Sequence, residues 1–178
     1  MPRKLIESTL ITLDGVISNP QHWSGPYWDD EHTAYSQKLL FGADELLLGR
    51  ATYEGFAQAW PQRSGDPFTE RINAMPKYVA SRTLSEATWN ASIIEGDVVE
   101  AVTELKARDG KSLLKFGTGA LSRTLLEHGL IDELHLWVFP VLAGGGDRLL
   151  EGIDRTHLKL LDSSTFASGI VVHVLGPK

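Results

Sequence analysis

Ser112-Leu113-Leu114-Lys115-Phe116-Gly117-Thr118-Gly119-Ala120-Leu121-Ser122 is the stretch on which the fold turns. Its first five residues read as a short apolar strand that runs straight into glycine and then into a helix through about His128. Such a junction presents unpaired backbone N–H groups at the carboxyl edge of a sheet. Those donors and the helix dipole together favour an anion. The chain holds a second junction of the same kind: Glu45-Leu46-Leu47-Leu48, then Gly49-Arg50-Ala51-Thr52 and a helix through about Phe56. Facing each other across one crevice, the two would suit a diphosphate, with Thr52 and Thr118 adding hydroxyls and Arg50 a charge. Glycine also permits tight turns in any α/β protein, so one junction alone is better explained by chain geometry. The pairing is what points to a ligand.

Outward from these junctions the pattern is regular. Leu5 to Leu13 is an apolar, β-branched strand closed by Asp14-Gly15. Residues 18–28 form a loop rich in Pro, Gly and aromatics, and long loops in compact domains often carry function. Asp29 to Phe41 reads as a helix with three acids in its first turn, where the macrodipole favours them. Then come a Pro/Gly loop from Pro61 to Pro67, a short helix to about Ala74, and strands at Lys77–Ala80 and near Ala91–Ile94. In the helix Asp97 to Arg108, Val98, Ala101, Val102 and Leu105 recur at one-face spacing. Glu133 to Leu142 is a strongly apolar strand ending at Ala143-Gly144-Gly145-Gly146. Leu158–Leu161 and Ile170–Leu175 are two last strands joined by a short polar hairpin. Strands alternating with helices early and a run of strands late imply a three-layer α/β/α fold. Its sheet is mostly parallel, with an antiparallel C-terminal edge.

The 178 residues allow one domain at roughly 150 residues each. With 17 Lys plus Arg against 23 Asp plus Glu, the net charge of −6 disfavours a nucleic-acid backbone or an anionic membrane as partner. A few aimed donors can still hold a phosphate-bearing small ligand. Zero cysteines remove disulfides, thiolate metal sites and thiol nucleophiles. No apolar run approaches the roughly 18 residues of a membrane span. Glu7 interrupts any signal-like stretch, so a cytoplasmic location is expected. The dinucleotide fingerprint fails, because Ser122 stands where a third glycine belongs, and no Gly-Lys-Ser/Thr is present. A nucleotide site here is not a Rossmann site.

At these residues the chain resembles the dihydrofolate reductase superfold. Within it, the likeness is to the riboflavin-biosynthesis reductase, the C-terminal domain of bacterial bifunctional deaminase–reductases. Thr12-Leu13-Asp14-Gly15 is similar to the family's first-strand ending. Leu48-Gly49-Arg50-Ala51-Thr52-Tyr53-Glu54 resembles its Gly-Arg-x-Thr-aromatic-Glu element, and Lys77-Tyr78-Val79-Ala80-Ser81-Arg82 the strand near the adenosine end of NADPH. Gly117 to Leu121, Leu125-Leu126, Gly129 to Leu134, Pro140 and Gly144-Gly145-Gly146 resemble the family's C-terminal signature.

The resemblance spans the whole chain and implies a single NADPH-dependent reductase domain over residues 1–178. Gly49, Arg50 and Thr52 would hold the cofactor phosphates from one helix start, and Gly117, Thr118, Gly119, Ala120 and Leu121 from the other. Ser81 and Arg82 would meet the 2′-phosphate. The chain departs from the superfold by having Gly117-Thr118 in place of adjacent glycines joined by a cis peptide. Thr33 stands near where a pterin-binding acid is expected, so folate specificity is not implied.

The implied reaction is hydride transfer to a pyrimidine- or pteridine-like heterocycle, in its simplest form 5-amino-6-(5-phosphoribosylamino)uracil. The alternatives are another small heterocycle or carbonyl, dihydrofolate included, or a non-catalytic NADPH-binding dimer. Cations for a phosphoribosyl group are few: Arg63, Arg148 and Arg155. Hydride transfer needs a held nicotinamide, a positioned electrophile and a proton. Asp14 is the first candidate to orient substrate or relay that proton, followed by Asp30 and Glu31. Each has a structural alternative, as turn residue or helix-start acid. Glu54 would simply reach back to a helix start. Trp23, Tyr27 and Trp28 are candidates to stack on the substrate, or else form a satellite core under the loop. Trp60 reads as structural, Trp137 as structural or interfacial. The six histidines show no metal spacing, and no metal is expected. The apolar strands Leu134–Phe139 and Ile170–Leu175 suggest an edge on which a homodimer forms.

Overall fold

The computed structural model describes residues 2–178. Eight strands and five helices follow one another as β1 (Leu5–Thr12), α1 (Asp30–Phe41), β2 (Ala43–Gly49), α2 (Arg50–Ala59), α3 (Pro67–Ala74), β3 (Lys77–Ala80), β4 (Ala91–Ile93), α4 (Val98–Ala107), β5 (Ser112–Phe116), α5 (Ala120–Glu127), β6 (Glu133–Phe139), β7 (Leu158–Thr165) and β8 (Val171–Pro177). They form one sheet in the order β4-β3-β2-β5-β1-β6-β8-β7. From β4 to β6 every pairing is parallel, and β6–β8 and β8–β7 are antiparallel.

The central strands are apolar on both faces because helices cover both. Leu46, Leu48, Leu114, Trp137 and Phe139 pack with residues of α1, α2 and α3 in one buried cluster. Leu5, Leu47 and Leu113 pack with residues of α4 and α5 in the other. This is the expected three-layer arrangement. No helix among the described residues is long and apolar enough to cross a membrane.

Two expectations are corrected. The strand read as Glu133 to Leu142 stops at Phe139, because Pro140 has no N–H to continue a ladder. The strands expected to form an exposed pairing edge are also interior: β6 lies between β1 and β8, and β8 between β6 and β7. The antiparallel edge is β7, where Leu158, Leu160 and Leu161 are exposed.

The topology creates the site. From β2 the chain leaves toward β3, and from β5 it leaves toward β6 on the opposite side. A crevice therefore opens between the carboxyl ends of β2 and β5, where α/β sheets bind ligands. Helix starts around it differ in a telling way. Asp29 caps α1 by accepting from the His32 N–H, Asp66 caps α3 from the Thr69 N–H, and Asp97 caps α4 from the Glu100 N–H. Helices α2 and α5 instead begin after Gly49 and Gly119, which have no capping side chain. Their first amides remain available to a ligand.

Candidate cofactor crevice and substrate cleft

A crevice of about 630 Å³ runs over the starts of α2 and α5. All ten residues anticipated to hold the cofactor line it: Gly49, Arg50 and Thr52, Ser81 and Arg82, and Gly117 through Leu121. Gly117 sits at φ +73°, and a Cβ built there would stand 3.0 Å from the Thr52 hydroxyl. The two junctions thus face each other at close range. The Thr118 hydroxyl is buried beside them with no hydrogen-bond partner. An orphaned donor and two uncapped helix starts around one gap fit the diphosphate of a dinucleotide.

Some of these groups are already engaged. Arg50 pairs with Glu54 at 2.9 Å and also donates to the Thr83 hydroxyl. Glu54 thus reaches back to its helix start. The Ser81 hydroxyl accepts from the Thr83 and Leu84 amides at 3.2 and 3.1 Å, which shapes the turn that presents exposed Arg82. No described peptide bond is cis, that between Gly117 and Thr118 included.

Beneath the Gly117 turn lies a buried charge pair that the sequence did not reveal. The Lys115 ammonium donates to the Gly117 carbonyl at 2.6 Å and to the Ser122 hydroxyl at 2.8 Å. It also lies 3.2 Å from the Glu7 carboxylate, both side chains being almost wholly enclosed. Burial pushes the Lys115 amine below its ordinary value, and Glu7 opposes that shift. Ser122 in turn accepts from the Gly119 N–H at 3.2 Å, so the ammonium braces both ends of the turn.

Past Ala51, Thr52, Gly117 and Thr118, which border both spaces, the crevice opens into a cleft of about 1220 Å³. Its walls carry Trp28, Phe56, Trp60, Phe68, Phe116 and Trp137. Trp28 stacks on His32 at 5.2 Å, and His32 tilts against Trp137 at 5.0 Å. Burial among these rings lowers the His32 pKa against the pull of Asp29, which favours the neutral imidazole. His32 and Asp66 are titratable wall residues that sequence reasoning missed. A lone histidine among three helix-start acids carries no spacing signal.

Several anticipated residues lie outside this cleft. Trp23 and Tyr27 pack edge-on against Phe139 at 5.2 and 5.8 Å and so join the margin of the main buried cluster, neither stacking in the cleft nor forming a separate satellite core. Trp28 alone of the three reaches the cleft. None of the three candidate carboxylates lines it either. Asp30 is exposed on the first turn of α1. Glu31 accepts from the Ala167 N–H at 2.8 Å and straps α1 to the last hairpin.

Asp14 accepts from the Thr12 hydroxyl at 2.5 Å and from the Ala143 and Gly144 amides at 3.0 and 2.8 Å. It clamps the β1 turn to the glycine loop, and these donors, Thr12 foremost, hold its carboxyl at about 2. That lies below the 3.8 of a free group, so its contribution to stability is present above about pH 4 and lost as pH falls toward 2. Melting temperatures measured down this acid range should therefore fall more steeply for the native protein than for Asp14→Asn. Parallel curves would show that the clamp has no proton-linked share.

The RibD C-terminal domain family profile matches residues 3–172. The chain is 32% identical to the protein designated Uncharacterized protein YyaP of Bacillus subtilis (strain 168), over 95% of this chain and 92% of that one. It is 25% identical to Uncharacterized protein YwjB of the same organism, over 97% and 98%. Among solved structures it superposes on a putative riboflavin biosynthesis protein from Shewanella sp. PV-4 with a TM-score of 0.74. The identity there is 21%, and the match covers 100% of this chain and 99% of that one. A diaminohydroxyphosphoribosylaminopyrimidine deaminase/5-amino-6-(5-phosphoribosylamino)uracil reductase from Thermotoga maritima gives 0.69 at 17% identity, covering 99% of this chain and 57% of its own. These two likenesses concern the fold. With the profile spanning nearly every residue and YyaP aligned almost end to end, the chain belongs to the RibD C-terminal domain family.

Proposed function

We propose that the protein is an NADPH-dependent reductase that delivers hydride to a pyrimidine- or pteridine-like heterocycle. The observation that carries this reading is the close approach of Gly117 to Thr52, which sets two uncapped helix starts around one gap. When bound, NADPH supplies the hydride from its nicotinamide ring. Gly49, Thr52 and the amides of Thr118, Ala120 and Leu121 receive the diphosphate, the Gly117 and Gly119 amides being held by the Ser8 carbonyl and the Ser122 hydroxyl, and Thr118 offers its unpartnered hydroxyl. Arg82 and Ser81 meet the 2′-phosphate. The aromatic walls shield the reacting carbon from water, and His32 is the titratable side chain set among those rings, the one wall carboxylate, Asp66, being taken up by Thr69.

The homodimer belongs to the same proposal and would use β7, whose exposed leucines line the open sheet edge. A cytoplasmic location accords with a soluble cofactor and substrate.

Melting curves with NADPH and NADH test the cofactor assignment. A ligand at 100 times its Kd raises stability by about 2.7 kcal/mol. Arg82→Ala should weaken NADPH about tenfold, some 1.4 kcal/mol, and leave NADH nearly unchanged. Equal losses for both coenzymes would remove the 2′-phosphate assignment, and no shift with either would remove the reductase reading. A sizing column run on the same samples reads the dimer, which an exclusively monomeric peak would refute.

A further inference from the structure

We infer that the cleft beside the cofactor crevice receives a flat ring compound that carries no phosphate. This rests on the reductase reading and adds the substrate class to it. The phosphoribosyl group that the family resemblance leads one to expect has no counterpart in the distribution of charge.

The two spaces differ in how their helices begin. In the crevice, α2 and α5 start at glycine and offer free amides, with Arg50, Arg82 and Lys115 among the lining residues. (The Asp97 cap of α4 also lines the crevice and is the exception there.) Beyond the α2 start that it shares with the crevice, the helix starts along the cleft belong to α1 and α3, and both are closed by carboxylates. Asp29 takes the His32 N–H at 2.8 Å. Asp66, itself a wall residue, takes the Thr69 N–H at 3.0 Å and the Thr69 hydroxyl at 2.6 Å. The positions that would most readily bind a phosphate thus already carry negative charge, and an incoming dianion would be repelled.

The cations tell the same story. Arg63 is the one lysine or arginine among the cleft residues. It sits on an exposed loop with its guanidinium 4.8 Å from the centre of the Trp60 ring. Arg148 donates to the Asp14 carbonyl outside the cleft, and Arg155 is not among the wall residues. What the walls offer instead is six aromatic rings and an imidazole whose burial favours its neutral form, surfaces that bind planar, weakly polar rings by stacking. Ring edges find Ser8, Asn19, Gln21, Thr33 and Gln62 for hydrogen bonds. Discrimination would come from repulsion of charged analogues as much as from attraction.

Riboflavin and riboflavin 5′-phosphate serve as probes, since they share a ring and a side chain and differ only in the phosphate. Each is titrated into the full-length protein with NADP⁺ saturating the crevice, and tryptophan quenching is read. Riboflavin is expected to bind at least tenfold tighter than its phosphate. Asp66→Asn should narrow that gap, and Trp28→Ala should weaken riboflavin several-fold. Equal or tighter binding of the phosphate, or binding of neither probe, overturns the inference. The fate of the reductase reading is separate: NADP⁺ occupancy is read by melting beforehand. If NADP⁺ gives no shift, the same titration without it still reports the preference of the cleft.

Discussion

Lys115→Met is expected to destabilise the protein by about 3–5 kcal/mol, because it strands the Glu7 carboxylate in the core with its cation gone. Glu7, on β1, is fully enclosed, and among the described residues its one other polar contact is the Thr9 hydroxyl at 3.4 Å. For a chain of this size each kcal/mol shifts the melting temperature by roughly 2–4 °C, so a fall of at least roughly 6 °C should be seen. The pair is not thereby a large stabiliser. Taking two charges out of water costs about what their attraction returns, and a well-packed apolar pair is often as stable. Lys115→Met combined with Glu7→Leu should therefore recover most of the loss.

The double variant also separates stability from function. Lys115 holds the Gly117 carbonyl and the Ser122 hydroxyl as well as Glu7. Restoring an uncharged core leaves those two bonds missing, and the turn that receives the diphosphate stays unbraced. The double variant should melt near the native temperature yet bind NADPH at least several-fold more weakly. Native affinity in that protein would show that the ammonium serves packing alone.

That pair also marks where the sequence stopped being legible. Strands such as Lys77–Ala80 and Ser112–Phe116 were bounded correctly, because apolar runs ended by Gly, Pro or Asp encode a local period and a local stop. The cofactor side was readable for a related reason: glycine directly after a strand exposes amides through its own backbone. Glu7 and Lys115 are partners only because β1 and β5 are neighbours in register, and register is a property of the folded sheet.

Asp14 and Glu31 lie outside the cleft for the same reason. They find amides at Ala143, Gly144 and Ala167, at the far end of the chain. The loop aromatics divide by the path of two 3₁₀ turns, Pro20–His22 and Gly25–Tyr27. That path sends Trp23 and Tyr27 to Phe139 and leaves Trp28 facing His32. Nothing in residue type distinguishes the three.

Gly117→Val should cost NADPH binding at least about a hundredfold, equivalent to roughly 2.7 kcal/mol. Two effects act together. At φ +73° a side chain is strained by about 1–2 kcal/mol, and a β-branched one by more. The strain is relieved only by moving the turn whose amides face the phosphates. The added Cβ also meets the Thr52 hydroxyl at 3.0 Å, closing the gap from the opposite wall. Gly117→Ala with and without Thr52→Ala, titrated calorimetrically, pulls these causes apart. Removing the hydroxyl relieves the crowding and leaves the backbone strain in place. If the paired variant regains affinity, the narrow gap itself grips the ligand. If it does not, the left-handed turn is what aims the amides. Gly117→Val binding NADPH like the native protein would mean that the diphosphate lies elsewhere, and the facing helix starts would lose their claim to the cofactor.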